Sequence, residues 1–113
     1  AENPEAVLVK TSALFADELQ ASQFSKGCPV STVALEATNA TPLLQKACAE
    51  AYEAWLALIT ETFAHLGLSP DRAPRLARLT LSSIEGALLL AKATQDITPL
   101  TDVAADLSPL LNV

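Results

Sequence analysis

One histidine, two cysteines and a glutamate set inside an apolar run are the side chains of this sequence best suited to act on another molecule. Nucleophilic catalysis needs a nucleophile, a base and an orienting group within reach of one another. Cys28 is the right type of nucleophile and His65 is the single imidazole, but no spacing ties them together. A strand–turn–helix serine elbow is absent. Glu61 and His65 stand four apart, on one face of a helix, and could share a cation. One imidazole and one carboxylate leave a tetrahedral site half filled, so the pair reads as a solvated i,i+4 contact. No Glu-x-x-His pair of the di-iron bundle type occurs, and no glycine-rich phosphate loop. Cys28 and Cys48 are too few for a disulfide scaffold and lack metal spacing; they read as buried thiols of a cytosolic protein. The expectation is therefore no enzyme, no metal and no cofactor. The minor reading, an enzyme built on Cys28, would lose its activity on Cys28→Ser.

Recognition is the chemistry that remains. Glu85 interrupts the greasy stretch Leu81 to Leu90. Either its carboxylate reaches solvent or caps a neighbouring helix, or it is a buried acid that fixes a polar group of a ligand or partner, since an unpaired buried charge is expensive. Tyr52, Trp55, Phe63, Phe15 and Phe24 read first as core and second as pocket lining. Aromatic rings on facing helices are also what a small-molecule cavity in a helical domain is built from.

The elements that would hold these side chains announce themselves four times. Asn3-Pro4, Thr41-Pro42, Ser69-Pro70 and Thr98-Pro99 each put a small polar residue before proline at the head of a helix-compatible run. A capping side chain accepts from a first-turn amide, and proline at the next position has no amide to orphan and a φ that is already helical. Gly27 and Gly67 follow long periodic runs and suit left-handed helix ends. The spacing predicts five helices: Pro4 to about Phe24, about Ser31 to Thr38, Pro42 to Leu66, Pro70 to Gln95, and Pro99 to about Leu111. Pro74 near the first turn of the fourth helix implies an irregular start or a kink there. The sequon Asn39-Ala40-Thr41 has a simpler explanation, with Thr41 as a cap. Strand alternation is absent, and the fold class is all-α.

Each helix carries an apolar stripe at the helical period. Leu8, Phe15 and Leu19 align in the first, with Leu14 beside them. Cys48, Tyr52, Trp55, Ile59, Phe63 and Leu66 share a face of the third, and Leu100, Val103, Ala104, Leu107 and Leu111 mark the last. The fourth differs: from Leu79 to Ala91 it is apolar on nearly every side, with Ser82, Ser83, Gly86 and Ala87 grouped in its middle. Glycine inside a helix costs about 1 kcal/mol relative to alanine, so Gly86 is expected to permit close helix–helix approach. A helix apolar all round must be covered on two sides, and a second subunit is the natural cover for one of them.

The whole chain, 113 residues, is one domain, and 50% of it is hydrophobic against 18% charged. No apolar run approaches the ~18 residues of a membrane span; the longest are Ala54 to Ile59 and Ala87 to Ala91. Apolarity without a span suggests surface buried against another chain. A net charge of −6, from 7 basic and 13 acidic side chains, would repel a phosphate backbone, so these residues alone should not bind nucleic acid. The chain has no methionine and opens on Ala1-Glu2-Asn3-Pro4, without a signal-peptide pattern, which reads as an internal fragment or a mature form.

Gly27-Cys28-Pro29-Val30, between a long helix and a short one, resembles the tetracycline-repressor (TetR) superfamily, and within it the LmrA/YxaF-like branch. Ser83 to Ala91 is similar to that family's penultimate helix and Thr98 to Leu111 to its final one. The resemblance implies a five-helix ligand-binding and dimerisation domain over residues 1–113, without the family's helix-turn-helix DNA-binding domain. It implies a cytoplasmic homodimer paired through the last two long helices, a small hydrophobic or amphipathic effector, and operator DNA reached only through the absent domain. By the same analogy Phe15, Leu19, Phe24, Cys28, Tyr52, Trp55, Ile59 and Phe63 would line a closed pocket. Leu81, Ile84, Leu88, Leu89, Val103, Leu107 and Leu110 would make the dimer contacts. The rival is a secreted or periplasmic helical-bundle interaction protein with no ligand.

Overall fold

In the computed structural model five helices follow the reading closely at their starts and less closely at their stops. The structure describes residues 3–25, 27–37 and 41–112, apart from the side chains of 33, 35 and 37. The elements are α1 (Pro4–Ala21), α2 (Pro29–Ala37), α3 (Pro42–His65), α4 (Arg72–Thr94) and α5 (Thr98–Leu107), with a closing 3-10 turn over Ser108–Leu111. No strand occurs among the described residues, and none of their helices is long and apolar enough to cross a membrane.

Two of the four caps work as the sequence implies. Asn3 Oδ1 accepts from the Ala6 amide at 2.8 Å, and Thr41 Oγ1 accepts from the Leu43 amide at 3.2 Å. Asn39 and Ala40 of the sequon, and Thr38 at the expected end of α2, lie outside the described residues. Ser69 works one turn early: its hydroxyl accepts from the Arg72 amide at 3.2 Å, and regular α4 begins at Arg72 instead of Pro70. Thr98 is not the cap of α5. The Asp96 carboxylate takes that role, accepting from the Thr98 amide at 2.9 Å and its hydroxyl at 2.7 Å, and these bonds hold the Asp96 carboxyl below its ordinary pKa. The sequence rule found the proline and credited the wrong neighbour.

The stop expected near Phe24 falls earlier, at Ala21. The turn that follows is left-handed at Gln23 (φ 55°) and Phe24 (φ 61°), ahead of the expected Gly27. Gly67 does take a positive φ, 115°, and Gln95 ends α4 at φ 55°. Pro29 starts α2 two residues before Ser31, with the Cys28 carbonyl accepting from the Thr32 amide.

One seam of α4 runs through the middle of the molecule. Ala73, Ala77, Thr80, Ile84, Ala87, Leu88 and Ala91 recur every three or four residues and are all buried. Alanine at four of these places lets neighbours approach closely. α3 packs on one flank of this helix and α5 on the other, α1 lies against α5, and α2 against α3. Phe63, Leu8, Leu19, Leu100 and Leu111 are the large side chains buried most completely; each contributes roughly 1.5–3 kcal/mol. Leu14, expected beside the α1 stripe, is 69% exposed, because the buried face of α1 runs through Pro4, Leu8, Ser12, Ala16 and Leu19. Arg72 ties the two ends of the last helical pair, donating to the carbonyls of Leu110 at 2.7 Å and Asn112 at 3.4 Å. The molecule is a slab, 41 × 32 × 17 Å. Its thin dimension is less than two helix diameters.

Candidate functional site

α1 and α3 both flank α4 but hardly touch each other, and the wedge between them is empty. The space measures about 430 Å³. This is within the range of ligand sites. Thr11, Phe15, Glu18 and Leu19 of α1 face it from one side, and Trp55, Leu58 and Ile59 of α3 from the other. Leu81, Ile84, Glu85 and Leu88 of α4 form its floor, and Gly27, Cys28 and Pro29 its rim. The cavity is not closed as expected. Leu58 (64% exposed) and Phe15 (37%) stand at an edge open to solvent.

The Gly-Cys-Pro turn earns its position through its parts. Pro29 begins α2, the Cys28 carbonyl starts the helix, and this directs the half-buried Cys28 side chain to the cavity. At Gly27 the Lys92 side chain passes 3.7 Å from where a Cβ would sit. Cys48, by contrast, is buried and points its thiol at the Val30 carbonyl, joining α3 to α2.

Five of the eight expected lining residues, Phe15, Leu19, Cys28, Trp55 and Ile59, do meet around one space. The other three go elsewhere. Phe63 is 2% exposed and belongs to the core, and Phe24 packs against that core from the turn after α1. Tyr52 faces a second hollow of about 260 Å³ together with Leu56, Arg78, Leu81, Ser82 and Glu85. The α3 stripe spirals slowly about its axis, so its ends meet different neighbours. Sequence reasoning missed Thr11, Glu18 and Leu58, which belong to no apolar stripe, and gave Leu81, Ile84 and Leu88 to the dimer surface.

That second assignment needs correcting. Ile84, Leu88 and Leu107 are each 6% exposed, buried by the chain's own helices, and Val103 packs against the same core. Leu89 and Leu110, both 48% exposed, remain on the surface. An all-round apolar helix carries no information about which face its own chain covers. Gly86, expected at a close helix contact, has nothing of its own chain within 4 Å of a Cβ position.

Glu85 is the chemical centre of the site, lining the cavity and the second hollow alike. The Ser31 hydroxyl donates to its carboxylate, and the Tyr52 hydroxyl donates to Ser31 Oγ in turn. Helices α2, α3 and α4 are thereby linked through three polar side chains. Burial pushes the Glu85 carboxyl above its ordinary pKa, while a hydrogen bond from the Cys28 thiol works the other way. The Tyr52 hydroxyl is likewise raised by burial, against the Ser31 bond that lowers it and with the Glu85 charge adding to the rise. The Tyr52 and Trp55 rings meet edge to face, centroids 5.6 Å apart and planes at 84°. Glu61 and His65 are exposed on α3, and no group of three or more His, Cys, Asp or Glu side chains suited to a metal occurs among the described residues.

Comparison with known proteins gives this arrangement a kinship. Residues 4–106 match the family described as transcriptional regulator LmrA/YxaF-like, C-terminal domain. An uncharacterized HTH-type transcriptional regulator of Mycobacterium tuberculosis is 36% identical over 103 residues, covering 86% of this chain and 53% of the relative. The HTH-type transcriptional regulator LmrA of Bacillus subtilis is 31% identical over 86 residues, 76% of this chain and 46% of its own length. YxaF of the same organism is 30% identical over 96 residues, 80% of this chain and 50% of its own. The chain thus spans about half the length of the curated relatives it matches, and no solved structure matches it. With the match running through α1 to α5 and the Gly-Cys-Pro turn inside it, the chain belongs to the LmrA/YxaF-like C-terminal domains of the TetR-type transcriptional regulators.

Proposed function

We propose that this chain is the effector-binding and dimerisation domain of a TetR-type repressor whose DNA-reading part lies outside residues 1–113. The observation that carries the proposal is the apolar cavity of about 430 Å³ between α1, α3 and α4, floored by the helix that packs against α1, α3 and α5. A ligand there touches α1 and α4 at once. Two recognition helices read successive major grooves only when held about 34–36 Å apart. An effector that favours a different α1–α4 arrangement by a few kcal/mol would spoil that spacing and release the operator.

Dimerisation draws on the opposite face of α4. Leu79, Ser82, Leu89 and Leu90 are exposed there around the open Gly86, and the slab is only 17 Å thick. These residues, with Leu110, replace the inward-turned Ile84, Leu88 and Leu107 as the contact surface. Arg75 is exposed on α4 and Asp102 and Asp106 on α5, so a second copy brings complementary charge. The relatives' names favour a cytoplasmic regulator over a secreted bundle.

Sedimentation of the chain, unchanged and as Leu90→Asp, combined with native mass spectrometry, tests both halves. The expected result is a dimer that Leu90→Asp converts to a folded monomer, and a mass shift when a small apolar molecule is retained. A monomer at high concentration sinks the dimer, and no response of Trp55 fluorescence to any apolar compound sinks the cavity as a binding site.

A further inference from the structure

The cavity wall is mostly apolar, and in it the half-buried Glu85 carboxylate meets only neutral donors among the described residues: the Ser31 hydroxyl and the Cys28 thiol. Neither basic side chain described nearby is paired with it. Arg78 shares the second hollow with Glu85 without forming an ion pair, and Lys92 runs over Gly27. Among the described residues the lining adds a second carboxylate, Glu18 from α1, and includes no lysine, arginine or histidine. From α3 the neighbouring titratable group is the Tyr52 hydroxyl, joined to Glu85 through Ser31.

A carboxylate held against an apolar space without a counter-ion is incompletely compensated. A ligand that brings the missing positive charge gains a pair in a medium of low dielectric, whereas an anion meets the like charge of Glu85. Trp55, in the wall a short way along α3, brings an indole to the same space, and an indole face attracts a cation. We propose that the cavity takes a hydrophobic organic monocation, its charged head paired with Glu85 and its apolar body lying between Phe15, Trp55, Ile59 and Leu88. This rests on the reading of the cavity as an effector site. It adds the class of effector, and it makes the Glu85–Ser31–Tyr52 chain the link by which the head of the ligand is felt in α2, α3 and α4 together.

The test uses three probes with one apolar body: phenylbutylamine, phenylbutanol and phenylbutyrate. Trp55 is the chain's single tryptophan, so its fluorescence reports from the cavity wall. At about pH 8 the amine is expected to bind about tenfold or more tighter than the alcohol, and the carboxylate weakest. Glu85→Gln removes the amine's advantage and leaves the alcohol's affinity within about threefold. In the unchanged chain the advantage shrinks as pH falls, because the amine stays protonated while the Glu85 carboxyl, raised by burial, takes up its proton. This pH series does not depend on the variant folding. An amine that binds no better than the alcohol, or keeps its advantage in Glu85→Gln or at low pH, overturns the monocation while the cavity reading stands. No binding of any of the three overturns both.

Discussion

Replacing Phe63 by alanine measures where the interior of this domain ends and its cavity begins. The ring is 2% exposed and packs among Leu68 and the α4 seam, so its full transfer free energy is at stake. That is roughly 1.5–3 kcal/mol, and the void left in a close-packed interior raises the loss to about 3–5 kcal/mol. Phe15 has the same chemistry in a different place. It is 37% exposed and already borders empty space, so truncation widens an existing cavity instead of opening a new one. Its loss should be about 1–2 kcal/mol, on the transfer scale discounted for exposure. Urea unfolding followed by far-UV circular dichroism at fixed protein concentration reads both values, and Trp55 fluorescence reads ligand affinity. The expected pattern is crossed: Phe63→Ala loses stability and keeps the cavity's affinity per folded molecule, while Phe15→Ala keeps most stability and weakens binding. Domains of this size have about 5–15 kcal/mol in all, so the first change is large. A Phe63→Ala loss below about 1 kcal/mol, or equal losses at the two positions, refutes the division of the aromatic residues made from burial.

Three further outcomes follow from single contacts. Thr80 is 4% exposed and its hydroxyl has no hydrogen-bond partner among the described residues; Thr80→Val should stabilise by about 1 kcal/mol, read as an upward shift in thermal midpoint. Glu85 has its folded pKa raised by burial, so protonation favours the folded state, and that stabilisation, full below the unfolded value, is lost as pH rises through the folded one. Glu85→Gln should therefore gain on the unchanged chain above the raised pKa and lose its lead as pH falls into the ordinary glutamate range, in unfolding midpoints measured across pH. Arg72→Ala removes the guanidinium from the carbonyls of Leu110 and Asn112; a loss of about 0.5–1.5 kcal/mol with faster amide exchange in the closing turn is expected.

Helix starts were legible because proline and a small polar residue are local signals, and two of the four needed no tertiary information. Thr98 was misread because Asp96, two residues earlier, offers a charged acceptor that outcompetes a hydroxyl. The end of α1 was misplaced because glycine is the usual left-handed residue and here glutamine and phenylalanine take that conformation. The site was half legible. Phe15 and Leu19 are a turn apart on α1, and Trp55 and Ile59 a turn apart on α3, so periodicity alone groups each pair. Which of Ile84 and Leu90 faces inward is decided by where α3 and α5 lie, and a helix apolar all round says nothing of that. Glu85 stood out in the sequence as a charge among leucines, yet its partners Ser31 and Tyr52 come from two other helices and were out of reach.

The consecutive left-handed residues Gln23 and Phe24 have an effect that reaches past the turn they make. Each holds a conformation unfavourable by about 1–2 kcal/mol for a residue with a side chain, offset in part by the local bonds from the Gln23 amide to the Gln20 carbonyl and from the Phe24 amide to the Leu19 carbonyl. The other support is distant: the Phe24 ring lodged on the core. The turn that closes α1 is therefore held partly by packing it does not itself supply. Loosen α1 from its neighbours and that share of its support goes, so the Gln23–Phe24 turn should be among the first parts of the molecule to give.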